Sequence, residues 1–244
     1  MTELSTAALL ARLNDVAATL KDKAAGLGDD ALRAGTELPG WTRGHILAHL
    51  TGVSNAMARQ VEFALRGETV ELYDGGPAGR NQAIEMAAGH GTDEHSRDLA
   101  AAVDRALGAF GGLDDDGWRL PIAYRGGVTA DGARALWREM VIHLTDLQVG
   151  RGPETWSREF CEHLVGFLSA RVPADLRLKL QPIGLPPVTL GSGSRSVSVN
   201  GMLTDIAAWL SGRTPTLGSL RAQAAADGVE LPALLPWPAP RTAG

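Results

Sequence analysis

Apolar residues recur at intervals of three and four as far as Gly150, and later segments switch to an interval of two, so the chain changes period part-way along. From Ser5 to about Leu27, the positions Leu9, Leu10, Leu13, Val16, Ala17 and Leu20 mark one face of an amphipathic helix, with Ser5 or Thr6 as its cap and Gly26 or Gly28 near its end. After a turn at Pro39 and Gly40, the stripe Ile46, Leu47, Leu50, Val53, Met57, Val61 and Leu65 predicts a second helix over 42–66, stopped by Gly67. The segment ELYDGGPAGRNQAIE reads as a loop through Asp74, Gly75, Gly76, Pro77 and Gly79, with a helical stretch beginning at Arg80 and Asn81. Leu99, Val103, Leu107 and Phe110 predict a third long helix over 93–110, and a fourth is expected over 131–147. Four long helices joined by loops point to a four-helix bundle, an architecture that builds metal sites from inward-facing side chains on neighbouring helices.

Beyond Gly150, a helix through Phe160, Leu164, Phe167 and Leu168 precedes three short runs, LRLKLQ, PPVTLG and RSVSVNG. Leu176, Leu178 and Leu180 alternate with charged residues, and Val197 and Val199 with serines, which is the period of half-buried strands. NGMLTDIAAWLSGR predicts a last helix, with Asn200 as candidate cap and Gly212 near its end, and the tail residues Arg241 to Gly244 are expected to be disordered. The expected fold class is a two-domain α plus α/β protein: a four-helix domain over 1–152 and a smaller α/β domain over 153–244.

Composition narrows the partners. A net charge of -5, with 23 basic against 28 acidic side chains and no basic run, argues against nucleic acid. No stretch of about 18 apolar residues exists to span a membrane, and the opening MTELSTAALLARLND lacks the uninterrupted apolar core of a secretory signal. The single cysteine, Cys161, precludes an internal disulfide, suits a cytoplasmic location, and reads as a small buried apolar residue rather than a nucleophile. Nothing in the pattern demands obligate assembly, so a monomer is expected. Trp41, Trp137 and Trp209 read as packing residues. His90, His95 and His163 read as exposed or locally hydrogen-bonded. The DGGPAG stretch lacks the GK[ST] ending of a phosphate loop.

The candidate chemistry lies in WREMVIHLTD, where Glu139 and His143 stand four apart on one helix face and can bite one metal ion. Such a pair also arises by accident, although a carboxylate among Trp137, Met140, Val141, Ile142 and Leu144 needs a cation to offset its desolvation. WTRGHILAHL offers a third ligand, but His45 and His49 are also four apart and spacing does not choose between them. Three protein ligands would leave a fourth tetrahedral position open, as in catalytic rather than structural zinc sites.

LPGWTRGHILAHL, RGETVELYDGGPAGRN, WREMVIHLTDLQVGRGPETW and DIAAWLSGR, in this order and across nearly the whole chain, resemble the mycothiol-dependent maleylpyruvate isomerase family, a branch of the DinB-like metalloenzymes. The resemblance implies a DinB-like bundle holding a divalent metal, usually zinc, and a C-terminal α/β domain of sterol-carrier-like type. It selects His49 over His45 and adds Glu139 and His143 as the other two ligands. It implies cis to trans isomerisation of maleylpyruvate to fumarylpyruvate in gentisate breakdown, with mycothiol as thiol cosubstrate: the thiolate adds, the former double bond rotates, and the thiol is eliminated. Arg213 matches an arginine used from the C-terminal domain, although an arginine there also suits the end of a helix. Arg80 is a candidate to bind substrate or thiol, or to cap local packing, and Asn81 and Tyr73 are lesser candidates on the same loop. Asp146, one turn past His143, is either an orienting carboxylate or a surface charge. Two other readings share the scaffold: a mycothiol S-transferase, and a non-catalytic zinc-bound regulatory module.

Overall fold

The computed structural model describes residues 4–224 and 230–238, and the chain separates into two compact units, Leu4–Gly150 and a second that starts at Arg151. Residues 241–244, expected to be disordered, lie outside the described residues.

Among the described residues, the first unit holds six α-helices: α1 (Thr6–Ala25), α2 (Asp29–Arg33), α3 (Arg43–Ala64), α4 (Gly76–Ala87), α5 (Thr92–Gly111) and α6 (Thr129–Asp146). Ser5 caps α1, its Oγ accepting the Ala8 N–H at 3.2 Å, and the buried face is Leu9, Leu13, Ala17, Leu20 and Ala24. Each fully buried leucine there is worth about 2 kcal/mol relative to exposure. Both α1 and α3 pack against both α5 and α6. That closed ring of contacts is the four-helix bundle.

The start of α4 differs from expectation. The helix begins at Gly76, four residues before Arg80, because Gly75 adopts a left-handed conformation (φ 71°) as its N-cap and Pro77 pre-sets the first turn. A Cβ at Gly79 would collide with the Asp74 carbonyl, so the glycine-rich segment packs too closely for side chains. Arg80 consequently stands on a helix rather than at a loop edge.

In the second unit, α7 (Arg158–Phe167) is capped by Ser157, whose Oγ accepts the Phe160 N–H. It is followed by β1 (Leu176–Pro182), β2 (Val188–Leu190), β3 (Arg195–Gly201), α8 (Leu203–Ser211) and β4 (Arg221–Ala224). The sheet order is β2-β1-β3-β4. β1 and β3 run parallel, with Leu178 opposite Val197 and Leu180 opposite Val199, and the edge strands pair antiparallel. The alternating Leu176, Leu178, Leu180, Val197 and Val199 are all buried, and α8 packs against α7 and both central strands.

Asn200 is not the cap of α8. It lies within β3 opposite Arg221, and the helix starts after Met202 without a side-chain cap. Its backbone is committed to the sheet ladder, so the β period runs on past it. Asp205 instead organises the segment after α8. Its buried carboxylate accepts the Leu217 N–H at 3.1 Å, the Ser219 N–H at 2.8 Å and the Ser219 hydroxyl at 2.7 Å. Gly212 closes α8 in the left-handed region. No described helix is long and apolar enough to cross a membrane.

Candidate metal centre

The position of α3 against α6 is set near their meeting ends. Arg43, in the first turn of α3, donates from Nε to the carbonyl of Leu147, the C-cap of α6, at 2.6 Å, and from Nη1 to the Ala31 carbonyl. Two turns into α3, His49 then faces Glu139 and His143 on α6. His49 Nε2 is 2.9 Å from Glu139 Oε2, His143 Nε2 is 3.3 Å from the same oxygen, and the two imidazole rings meet edge to face at 4.7 Å. His45 has another task. Its backbone N–H donates to Thr42 Oγ1 while its Nδ1 accepts the Thr42 N–H, a reciprocal cap at the start of α3, and its Nε2 reaches Glu85 at 3.4 Å.

These three donors suit a divalent ion. The edge of a tetrahedron built with metal–ligand distances of about 2.0–2.1 Å is about 3.3 Å, close to the observed 2.9 and 3.3 Å. The set of two imidazoles and one carboxylate is acceptable to zinc and to several other divalent metals. Glu139 lies deep among protein atoms yet keeps 35% of its side-chain surface accessible, so the cluster opens to solvent on the carboxylate side.

Charge and burial oppose one another here. Burial alone would raise the Glu139 carboxyl, but hydrogen bonds with His143 and His49 outweigh it and hold the group well below the usual carboxylate range. Burial lowers His49 despite its contact with Glu139. Burial would also lower His143, but Asp146 and Glu139 together raise it. Asp146 is buried, and its Oδ2 lies 2.8 Å from His143 Nδ1. The contact is short but lies off the line of a well-formed hydrogen bond.

Arg80 reaches the cluster from α4, its Nη2 donating to His49 Nδ1 at 3.0 Å. A guanidinium only donates, so His49 Nδ1 accepts, and the ring proton sits on Nε2, directed at Glu139. Arg80 also covers the Tyr73 ring at 5.9 Å and donates to Asn81 Oδ1 at 3.0 Å. Burial pushes the Tyr73 phenol up to about 12. The Trp41 ring centroid is 5.6 Å from that of His49 and 6.4 Å from that of His143, so this tryptophan is a wall of the site as well as a packing residue.

Residues 13–148 match the profile of the mycothiol maleylpyruvate isomerase N-terminal domain. The chain belongs to this family. Two solved structures share its fold at a TM-score of 0.83 and 20% identity, with 96% of this chain and 99% of the other covered in each case. One is the crystal structure of the mycothiol-dependent maleylpyruvate isomerase, and the other is that of a histidine-to-alanine mutant of it. No curated protein matches the chain.

Other marked residues of this mycothiol maleylpyruvate isomerase family member fall elsewhere. Arg213 belongs to the second unit, where its Nη1 donates to the Ser211 carbonyl at 2.9 Å and its guanidinium lies 5.8 Å from the Trp237 ring. Cys161 is fully buried and its thiol is pushed up to about 12 by burial, which removes it as a nucleophile at neutral pH. Of the two readings of His95, exposed or locally hydrogen-bonded, the second holds: the ring is buried and bonds the Ala88 backbone, where Gly44 lets the start of α3 approach the end of α4. A second group that could hold an ion comprises His90, just before α5, and Glu94 and Asp98 in its first two turns. Its members are solvent-accessible and Asp98 pairs with Arg97, as on an ordinary polar helix face. Sequence reading passed over Arg138, which is within electrostatic reach of Glu139, and Tyr124, whose hydroxyl lies 3.3 Å from Arg138 Nη2. The signals were present: an arginine in an apolar stretch beside Glu139, and one of only two tyrosines in the chain.

Proposed function

We propose that this chain is a divalent-metal-dependent and mycothiol-dependent isomerase that converts maleylpyruvate to fumarylpyruvate, with His49, Glu139 and His143 as the metal ligands and zinc as the ion. The observation that carries the reading is the convergence of these three donors around a carboxylate open to solvent, in a member of this family. A divalent ion, when bound, supplies the positive charge that lowers a thiol's pKa toward neutrality.

The chain's own groups handle the rest of the chemistry. Addition of a thiolate to the carbon–carbon double bond conjugated with a carbonyl moves an electron pair onto the carbonyl oxygen. The former double bond is then single and rotates. When the enolate collapses, the double bond re-forms in the trans geometry and the thiolate leaves, so the thiol is not consumed. Tyr73, with its phenol raised to about 12, stays protonated throughout the physiological range and can donate to the developing oxyanion. A neutral His49 that ligates through Nε2 carries its proton on Nδ1, so Arg80 cannot donate to it in that state. The guanidinium is then available to an anionic group of the substrate. Asn81 holds Arg80 from its other side, and Arg213 is the candidate anion-binding residue of the second unit.

The test is the absorbance change of maleylpyruvate with and without mycothiol, on protein of measured metal content. Thiol-dependent conversion is the expected result. Accumulation of a stable thiol adduct with an electrophile would point to an S-transferase instead. Metal binding without either reaction would point to a regulatory module.

A further inference from the structure

Arg138 immediately precedes Glu139 on α6 and is only 6% exposed. Helical side chains lean toward the N-terminus, and this one reaches the turn before α6, where its Nη2 is 3.3 Å from the Tyr124 hydroxyl. That turn is fastened to α3. The Tyr124 N–H donates to Gln60 Oε1 at 3.1 Å, while Gln60 Nε2 donates to the Val70 carbonyl at 2.7 Å, which links the turn to the loop that carries Tyr73. Tyr73 in turn lies within electrostatic reach of both Glu139 and Tyr124, under the Arg80 guanidinium. The only two tyrosines of the chain are thus each paired with an arginine, and Tyr73 and Arg138 are both within electrostatic reach of Glu139. Arg125, adjacent to Tyr124, adds a third cation within electrostatic reach of Arg138. Its backbone is held in the left-handed region (φ 55°, ψ 19°), a strain of about 1 kcal/mol that clusters at binding sites.

We propose that Arg138, together with the Tyr124 hydroxyl, is a carboxylate-binding element of the metal centre and holds an acidic group of the electrophile, an assignment that rests on the isomerase reading above. In a chain of net charge -5, Arg80, Arg125 and Arg138, with the Tyr73 and Tyr124 phenols, bring cationic groups and hydrogen-bond donors to the surroundings of Glu139. A carboxylate complements them in both charge and geometry, since a guanidinium fork donates to two oxygens side by side and a phenol supplies a further donor. Arg80 and Arg138 approach from different helices, an arrangement suited to a small dicarboxylate.

The probe is maleate, titrated calorimetrically into the protein as purified, with metal content and melting temperature measured in parallel. Arg138→Met should weaken maleate binding about tenfold or more, and Tyr124→Phe severalfold, with metal content and melting temperature unchanged. A purely structural role would not move maleate affinity at constant stability. If Arg138→Met fails to fold, Arg138→Lys, which keeps the charge and loses the fork, decides together with Tyr124→Phe: weaker binding in both supports the assignment. Wild-type affinity in Arg138→Met or in Tyr124→Phe overturns it, as does absence of maleate binding to the wild-type protein. The two readings fail separately. Thiol-dependent turnover with an unchanged KM in Arg138→Met removes this element and leaves the isomerase. Arg138-dependent maleate binding without thiol-dependent turnover does the reverse.

Discussion

Beside His143, the buried carboxylate of Asp146 lies 2.8 Å from the ring nitrogen that faces away from the cluster. Such outer partners fix the orientation and basicity of a ligating imidazole. Asp146→Asn should therefore weaken metal affinity about 10–100-fold, read by competition with a chromogenic chelator, and an unchanged affinity would reduce Asp146 to a packing role. Arg213→Ala should keep its full metal content and lose most of its turnover with maleylpyruvate and mycothiol; unchanged kinetics would remove Arg213 from the reaction. At this scale the sequence was legible only in part. His45 and His49 share a spacing and a helix face, and what separates them is the reciprocal bond of His45 with Thr42, a contact that spacing does not encode. Trp41 carried no mark of its place against two histidines, because bulk alone looks the same in a core and in a site wall. Arg138 sat in plain view beside Glu139, but its importance depends on a turn folded back from Tyr124.

The long helices were the most legible elements, since each buries a continuous stripe that keeps its period for three turns or more. The alternating strands β1 and β3 were legible for the same reason. β4, with the sequence RAQA, alternates polar residues only with small alanines and is recruited by pairing with β3, so its local pattern was too weak to announce it. The helix start at Gly76 was hidden by glycines that look like loop residues and serve instead to pack the turn. At the head of α3, a Cβ on Gly44 would collide with the Ala88 carbonyl. Gly44→Ala should cost about 1–3 kcal/mol in chemical denaturation, and a neutral result would show that α4 yields easily. Asp205 gives the second unit a pH signature. Burial would raise its carboxyl, but bonds from Ser219 and Leu217 outweigh this and lower it. A carboxyl whose folded pKa lies below its unfolded value of about 3.9 contributes stability above that pH and loses it as the pH falls through the folded value. Asp205→Asn should destabilise the unit by about 2 kcal/mol near neutrality, as it turns donors against donors. It should also flatten the acid limb of the stability profile followed by circular dichroism, and an unaltered acid limb would contradict this account.

The molecule consists of two compact units, divided between Gly150 and Arg151. Metal binding should register in overall stability as well as in chemistry. An ion present at about 100 times its dissociation constant stabilises the native state by about 2.7 kcal/mol. Chelation should accordingly lower the melting temperature of the wild-type protein and leave that of His49→Ala unchanged; equal melting with and without metal would count against the centre. His49 and Glu139 are 90 residues apart, and α4 and α5 lie between them. An ion shared by α3 and α6 would therefore act as a clasp, closing a loop of chain much as a long-range disulfide does. The intervening helices could not detach for proteolysis without releasing the ion, so metal occupancy would set the rate at which this half of the protein is digested.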